Sequence, residues 1–324
     1  MVSTSSSPAG PAEADSPVVH VAFSSGASHF VACTATGFHV FSCDESVERV
    51  RCKSIAEVSD GAEVTSAEML TWSRLAVVAR KTGGAEHEAI YFFDEESKRT
   101  IRISSAKTPG LGVVGGIRLL GDHAVIAGKE MAMLVVRGDI KNSELVATGP
   151  NPLGLCALAV DRRAATFVYA LPLPEQGAVV DVRAHASSLS CIALSRDGRL
   201  LATASSKGTL VRIFSSDDGT KLQELRRGID RAGIHCITFS PDSRWLAVSS
   251  NKGTVHVFPV DKATSTTTEG GDGDALPAPP AAAASTPAPA TAKQGSFYRC
   301  RFDPTNAGEM KQLDCKRFMK IKGE

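Results

Sequence analysis

The sequence lacks a long apolar run, an excess of charge of one sign, and the paired cysteines of a metal site. No stretch of its 324 residues reaches the ~18–20 consecutive apolar residues of a membrane-spanning helix, so no transmembrane segment is expected. The 36 Lys and Arg residues nearly balance the 35 Asp and Glu residues, and no overall field favours nucleic acid. Any attraction to anions must therefore come from a local cluster of basic side chains.

Cysteine usage and the N-terminus both predict a cytoplasmic protein. The eight cysteines contain no C-x-x-C pair, and no His cluster has metal-ligand spacing. We therefore expect neither a metal nor a cofactor, and free thiols suit a reducing compartment. Residues 1–17 lack the basic start and apolar core of a secretory signal and are predicted to form a disordered tail before one folded unit over 18–324.

Two segments, 191–214 and 236–258, are copies of each other. Five residues recur at a constant spacing of 45, namely Ser195, Asp197, Leu201, Gly208 and Thr209 as Ser240, Asp242, Leu246, Gly253 and Thr254. A weaker copy spans residues 20–41. A period of about 40–45 residues, with short apolar runs separated by turns, is typical of the blades of a β-propeller. The sequence therefore predicts an all-β propeller of the WD-repeat type.

The regular pattern weakens toward the C-terminus. The sixth blade is predicted to begin near Ile234. From Ala263 to Ala292, 26 of 30 residues are Ala, Pro, Ser, Thr or Gly, which predicts a low-complexity flexible loop over 261–295 and abbreviated or irregular last blades. Further strands are predicted at 74–80, 89–94, 100–104, 117–120, 123–128, 131–137, 155–160, 166–170 and 178–183.

Motifs for catalysis or nucleotide binding are weak. The stretch Gly110-Leu-Gly-Val-Val-Gly115 has the G-x-G-x-x-G spacing of a dinucleotide site. The following residues read as two short strands rather than the helix whose N-terminus holds a pyrophosphate, so a glycine-rich loop between strands is the better interpretation. No G-x-S-x-G or H-E-x-x-H motif is present, and we expect no enzymatic activity.

The segment between the two clear repeats carries the main candidate for an anion site. If residues 222–227 form an outer strand, the adjacent Arg226 and Arg227 point to opposite faces and serve two separate pockets. Each pocket has hydroxyls and a Lys-Gly-Thr turn from one repeat, a combination suited to phosphate oxygens. Two alternatives stay open: the arginines are simply solvated, or Ser205 and His185 belong to the structural His/Ser network of WD-type propellers.

The same residues resemble the PROPPIN family of phosphoinositide-binding β-propellers. The resemblance rests on Arg183-Ala-His185, on Leu225-Arg-Arg-Gly228 with Asp230-Arg-Ala232, and on the repeats around them. Within the family, the sequence is most similar to the WIPI3/WIPI4 branch. It implies a seven-bladed propeller without enzymatic activity. The first implied headgroup site contains His185, Ser205, Thr209 and Arg226. The second implied site contains Arg227, Arg231, Ser249, Ser250 and Thr254.

The resemblance also implies a role at membranes. We expect binding to phosphatidylinositol 3-phosphate and phosphatidylinositol 3,5-bisphosphate and recruitment of autophagy machinery, with an Atg2-type lipid-transfer protein as partner, on autophagosome-precursor, endosomal or vacuolar membranes. The alternative is a peptide-binding propeller scaffold that has lost lipid binding. In the family a loop of the sixth blade dips into the bilayer, but residues 261–295 contain Leu276 as their only large apolar side chain. Insertion by this loop is not expected.

Overall fold

The computed structural model describes residues 18–34, 37–44, 47–50, 62–81, 88–105, 108, 110–136, 138–161, 166–172 and 180–261, and the backbone of 284–287, 296–303 and 309–317. These residues form 24 strands: β1 (Val18–Phe23), β2 (His29–Thr34), β3 (Gly37–Ser42), β4 (Arg49–Val50), β5 (Ala62–Met69), β6 (Arg74–Lys81), β7 (Glu88–Asp94), β8 (Arg99–Ser104), β9 (Gly116–Leu120), β10 (His123–Ala127), β11 (Met131–Val136), β12 (Asp139–Ala147), β13 (Ala157–Asp161), β14 (Thr166–Ala170), β15 (Leu189–Leu194), β16 (Leu200–Ser205), β17 (Leu210–Ser215), β18 (Lys221–Arg226), β19 (Ile234–Phe239), β20 (Trp245–Ser250), β21 (Thr254–Pro259), β22 (Ala284–Pro287), β23 (Ser296–Asp303) and β24 (Glu309–Arg317). Within the described residues, no helix has the length and apolar character needed to cross a membrane.

The described strands form seven antiparallel sheets in chain order. Five sheets have four strands, namely β1–β4, β5–β8, β9–β12, β15–β18 and β19–β22, and two have two strands, namely β13–β14 and β23–β24. The first strands of successive sheets contact each other, from β1 with β5 through β15 with β19, as the inner strands of a propeller do. The predicted all-β propeller with irregular blades is confirmed.

The core lies between neighbouring sheets, and the second sheet is buried on both faces. In β6, Leu75 and Val77 pack against Val31 and Val40 of the first sheet, whereas the alternating Ala76 and Val78 pack on the third sheet. A strand buried on both sides needs apolar residues at every position, which explains the unbroken run Leu75–Ala79. The fifth and sixth sheets enclose an equivalent apolar layer.

The structure departs from the predicted strands in two places. Residues 180–183 lie outside any strand, so the strand predicted at 178–183 is wrong over the residues that the structure describes. β22 falls inside the low-complexity segment and pairs with β21, which gives the sixth sheet a fourth strand. Main-chain hydrogen bonds alone make this pairing possible without apolar side chains. Residues 1–17, 262–283 and 288–295 lie outside the described residues.

The glycine-rich motif has a packing role. Residues 116–120 form β9 rather than a helix, so the motif does not open the helix that a dinucleotide site requires. A Cβ atom on Gly115 would lie 2.7 Å from the backbone nitrogen of Gly154. Glycine at position 115 therefore permits a close approach of two backbone segments where the third and fourth sheets meet.

An ion pair joins the inner strands β5 and β9. The Nη1 atom of Arg118 lies 3.5 Å from Oε2 of Glu68. Burial raises the pKa of Glu68 to about 7, although the positive charge of Arg118 and a hydrogen bond from the Leu119 backbone oppose the rise. Near neutral pH this carboxyl group is therefore only partly ionised.

Candidate functional site

The two adjacent arginines lie at the end of the fifth sheet, on opposite faces. Leu225 is fully buried in the layer shared with the sixth sheet. Arg226 is exposed, and Arg227 is buried with 9% of its surface accessible. Since successive side chains of a strand point to opposite faces, the Arg227 side chain lies on the same face as Leu225, toward the sixth sheet. The Arg226 side chain lies on the opposite face.

The Arg226 face of the fifth sheet carries a row of polar residues. Arg212 lies directly between Thr203 and Glu224 across three strands. Its Nε donates to Glu224 Oε2 at 2.8 Å, and its Nη1 donates to the Ala184 carbonyl at 2.6 Å. His185 joins the row, with Nε2 3.1 Å from the Thr203 hydroxyl.

Ser205 and Arg226 lie on the same face in the next row of residues, in which Leu210 is the partner of Arg226 on β17. Ser205 lies two residues beyond Thr203 on β16, and Arg226 lies two residues beyond Glu224 on β18, so both share the same face. Ser205 is 5% exposed. Among the described residues, the Arg226 side chain makes no hydrogen bond or ion pair. We call His185, Ser205 and Arg226 the first cluster.

Charge in the first cluster comes from Arg226. Burial lowers the pKa of His185, and the nearby Arg212 charge lowers it further, while a hydrogen bond to the Thr203 carbonyl acts in the opposite direction. His185 is therefore neutral near pH 7. Arg212 is engaged by Glu224, which leaves the Arg226 guanidinium as the unpaired positive charge of this face within the described residues.

Arg227 is held by main-chain carbonyls. Its Nε donates to Gly208 O at 2.6 Å, and its Nη2 donates to Asp230 O at 2.5 Å. The backbone N–H of Arg227 donates to Thr209 O at 2.9 Å. Nη1 makes no hydrogen bond to any described residue. A guanidinium has five N–H donors, so this side chain stabilises the local fold and keeps donors for another acceptor.

The loop after Arg227 passes directly over the turn of the fifth sheet. We call residues 227–233 the linking loop. A Cβ atom on Gly208 would lie 1.8 Å from the Ala232 carbonyl oxygen, and Gly208 has φ of +62°. Only glycine fits there without displacing the loop.

A second cluster lies on the sixth sheet, on the face of Arg227. Ser250 pairs with Thr254, and Val248 pairs with His256. The Ser250 and Thr254 hydroxyl oxygens are 3.3 Å apart, and Thr254 Oγ1 lies 3.2 Å from His256 Nε2. Burial lowers the pKa of His256, and the charge of Arg227 lowers it further, which places Arg227 within electrostatic range. Arg227, Ser250, Thr254 and His256 form the second cluster.

His256 was missed by reasoning from the sequence. Its position becomes visible only when the repeats are aligned from their closing phenylalanines: His256 lies two residues before Phe258, as Arg212 lies two residues before Phe214. The sixth sheet has one residue fewer after its Lys-Gly-Thr turn, so the constant spacing of 45 hides the match. Both residues occupy the same place in their sheets, opposite Val248 and Thr203.

The other predicted site residues are Ser249, Thr209 and Arg231, and they differ in position and exposure. Ser249 alternates with the buried Ser250 and therefore lies on the opposite face of the sixth sheet. Thr209 precedes β17 and is half-buried, and its carbonyl oxygen accepts the Arg227 N–H. Arg231 is exposed in the linking loop.

Comparison with known sequences identifies a family. The PROPPIN family profile matches residues 18–273. "Autophagy-related protein 18e" of Arabidopsis thaliana is 32% identical, over 98% of this chain and 92% of its own length. "SVP1-like protein 2" of Neurospora crassa is also 32% identical, over 79% of this chain and 59% of its own length. The similarity covers both clusters and the linking loop.

Solved structures share the fold. Kluyveromyces lactis Hsv2 superimposes with a TM-score of 0.67 at 20% sequence identity, over 94% of this chain and 100% of that one. KlAtg21, in its complex with the coiled-coil of AgAtg16, superimposes with a TM-score of 0.65 at 19% identity, over 94% of this chain and 100% of that one. At these identities the match supports the architecture of a seven-bladed propeller.

Proposed function

Because the chain belongs to the PROPPIN family, we propose that its two clusters bind the headgroups of phosphatidylinositol 3-phosphate and phosphatidylinositol 3,5-bisphosphate. PROPPIN proteins are non-enzymatic, and this chain is an Atg18-like autophagy propeller. The observation that carries the proposal is the position of Arg226 and Arg227 on opposite faces, each on the side of a buried serine hydroxyl. The two guanidinium groups thus serve separate phosphate groups rather than one.

The first cluster supports direct phosphate binding. The Arg226 side chain is exposed and makes no hydrogen bond or ion pair with the described residues, so its planar guanidinium is available for two parallel hydrogen bonds to a phosphate. Ser205 supplies a hydroxyl on the same face. Neutral His185 can donate one ring N–H without adding charge. Thr209 completes the set that the family resemblance implies.

The second cluster supports phosphate binding of a different kind. Two donors of Arg227 are taken by the Gly208 and Asp230 carbonyls, so its orientation is fixed before a ligand arrives. The remaining N–H groups, with the hydroxyls of Ser250 and Thr254, bind the phosphate. Arg231 adds charge from the linking loop. Ser249 contributes least, since its side chain faces away from Ser250.

The wider role follows from lipid recognition. We infer a place in the WIPI3/WIPI4 branch from the motif Leu225-Arg-Arg-Gly228 followed by Asp230-Arg-Ala232. The protein is recruited from the cytoplasm to autophagosome-precursor, endosomal or vacuolar membranes that carry 3-phosphorylated inositol lipids. There it brings an Atg2-type lipid-transfer protein to the bilayer.

One observation favours a second candidate, a peptide-binding scaffold without lipid binding. A cavity of about 320 Å³ between the second and third sheets is lined by Leu75, Phe93, Ile101 and further apolar residues. Arg74 and Asp122, which form an ion pair of 2.8 Å, also line it. A peptide with an apolar anchor residue fits such a cavity.

Vesicle flotation tests the proposal. Wild-type protein is expected to float with phosphatidylcholine vesicles that contain phosphatidylinositol 3-phosphate, and not with phosphatidylcholine alone. Arg226→Thr is expected to weaken vesicle binding roughly tenfold or more, because one charge-assisted contact is worth about 1.5–3 kcal/mol. Vesicles with phosphatidylinositol 3,5-bisphosphate, run in parallel, measure selectivity between the two lipids.

The matched control is Arg196→Thr. Arg196 is exposed in the turn between β15 and β16, at the opposite end of the same sheet, and its loss removes the same charge. Equal flotation of wild type, Arg226→Thr and Arg196→Thr would eliminate the lipid proposal and leave the scaffold as the better account. An equal loss in both variants would indicate general charge attraction instead of a headgroup site.

A further inference from the structure

The linking loop presents an apolar side chain to solvent. Ile229 is 85% exposed, whereas Leu153, the next large apolar residue by exposure among the described residues, is 57% exposed. Leaving an isoleucine in water forgoes about 1.5–3 kcal/mol relative to burying it. An exposed apolar residue beside two anion-binding clusters therefore needs an explanation other than folding.

The loop that carries Ile229 is anchored on both sides. Arg227 donates to the Asp230 carbonyl, so its guanidinium spans the turn that contains Ile229. Ala232 N–H donates to the Lys207 carbonyl at 3.2 Å. Gly233 and Asn251 exchange two hydrogen bonds, of 3.0 Å and 2.9 Å. Ile229 is therefore held outward on a fixed support between the turns of the fifth and sixth sheets.

The surroundings of Ile229 are strongly basic. In residues 205–209, 226–233 and 249–254 there are five basic residues and one acidic residue, Asp230. Four of the five basic side chains are exposed, namely Lys207, Arg226, Arg231 and Lys252. An exposed apolar side chain on a loop and turns that carry exposed basic residues complements the surface of an anionic bilayer, where charge attracts the protein and the apolar group enters the acyl boundary.

A single apolar side chain fits a bilayer better than a protein partner. Stable protein interfaces bury an extended patch with a cluster of anchor residues. The linking loop offers only a single anchor residue, Ile229. Insertion into a bilayer has no such requirement, since lipids rearrange around one side chain. The acidic low-complexity segment 261–295 has only Leu276 as a large apolar residue and offers no comparable anchor.

We propose that Ile229 inserts into the interfacial region of the bilayer, and that the linking loop is the membrane-insertion element of this protein. The inference rests on the proposed function, because the two clusters bring the loop to the lipid surface. Headgroup binding supplies specificity, and insertion of Ile229 lengthens the residence time on the membrane. The exposed basic side chains of the linking loop and the neighbouring turns contact the adjacent anionic headgroups.

The test compares vesicle binding with headgroup binding. Ile229→Ser is expected to bind vesicles of phosphatidylcholine, phosphatidylserine and phosphatidylinositol 3-phosphate about tenfold more weakly than wild type, the loss expected for part of an isoleucine side chain leaving an apolar phase. Its affinity for soluble inositol 1,3-bisphosphate, measured by calorimetry, is expected to equal that of wild type. The control is Val136→Ser, which removes a 49% exposed apolar residue of the third sheet and should leave both affinities unchanged.

A fluorescence experiment reports insertion directly. Ile229→Trp should show a blue-shifted emission on binding the same vesicles and quenching by brominated lipid, after subtraction of the wild-type signal from Trp72 and Trp245. Full vesicle affinity of Ile229→Ser, with an unshifted and unquenched signal from Ile229→Trp, would overturn the insertion of Ile229 and leave headgroup binding intact. Ile229 would then be interpreted as a contact for a protein partner. If the wild-type protein binds neither the vesicles nor the soluble headgroup, the proposed function and the insertion of Ile229 are both overturned.

Discussion

The Nε atom of Arg227 lies 2.6 Å from the carbonyl oxygen of Gly208, and this contact fixes the route of the chain from the fifth sheet to the sixth. The same guanidinium lies close enough to His256 of the second cluster for its charge to lower the pKa of that histidine. One side chain thus holds the linking loop and supplies donors to the proposed lipid site. Substitutions at this position must be interpreted with both roles in mind.

The two Lys-Gly turns differ in how much room they leave, which gives a matched pair of variants. Gly208→Ala should lower the free energy of unfolding by roughly 2–4 kcal/mol, since its Cβ meets the Ala232 carbonyl in addition to the strain of positive φ. Gly253→Ala has a similar φ of +68° and no atom within 4 Å of its Cβ, so about 1–2 kcal/mol is expected. Urea denaturation of both variants measures the difference, and equal losses would contradict the close packing of the linking loop.

Arg226 and Arg227 should differ in their effect on stability. Arg227→Gln loses two hydrogen bonds to main-chain carbonyls and is expected to lower the free energy of unfolding by roughly 2 kcal/mol. Arg226→Gln replaces an exposed side chain that makes no hydrogen bond or ion pair with the described residues, and it should change the free energy of unfolding by less than about 0.5 kcal/mol. Chemical denaturation followed by tryptophan fluorescence checks this. A destabilised Arg226→Gln would show that the side chain has a structural partner.

Glu68 should make stability depend on pH. Its pKa is about 7 in the folded protein against a usual value of 4.5, so between these values the native state keeps a proton that the unfolded chain has lost. Stability from this group therefore decreases as the pH rises from about 4.5 to about 7. Glu68→Gln, which mimics the protonated form, should raise the free energy of unfolding by on the order of 1 kcal/mol over wild type above pH 7. A difference between the two proteins that stays constant with pH would refute the shifted pKa.

His256 should give a dependence of the opposite sense. Its pKa lies below the usual 6.5 because of burial and the Arg227 charge. As the pH falls below 6.5, the unfolded chain takes up a proton that the folded protein resists, and stability decreases. His256→Gln should lose less stability than wild type between neutral and mildly acidic pH, as measured by urea unfolding. His20 and His185 also have lowered pKa values and are present in both proteins, so the comparison isolates His256.

Much of the fold could be predicted from the sequence repeats. Ser195 and Ser240 begin equivalent turns, and each accepts a backbone hydrogen bond from the residue five positions later. This shared turn chemistry marks the two segments as repeats. β22 was not predictable, because its residues carry no apolar alternation and it forms through main-chain pairing with β21. The absence of a strand over residues 180–183 was equally hidden, since an apolar pair such as Val180 and Val182 fits a strand and a packed loop alike.

The site was only partly predictable for a related reason. Alternation along β18 gave the opposite directions of Arg226 and Arg227, but no sequence rule indicates that the carbonyls of Gly208 and Asp230 occupy part of the Arg227 guanidinium. Ser249 and Ser250 are equivalent as sequence, and only the register of β20 separates their faces. Those details depend on the backbone path of the linking loop and on contacts with residues of other strands and turns.

The anchored linking loop also fixes the separation of the two clusters. Its ends are bound to the turns of both sheets, so the distance between the two clusters is fixed. If each cluster holds one headgroup, as proposed, simultaneous occupancy requires two lipids at a set distance within the bilayer plane. Recruitment would then rise steeply with the surface density of the lipid, and the protein would distinguish a crowded patch of signal lipid from a sparse one.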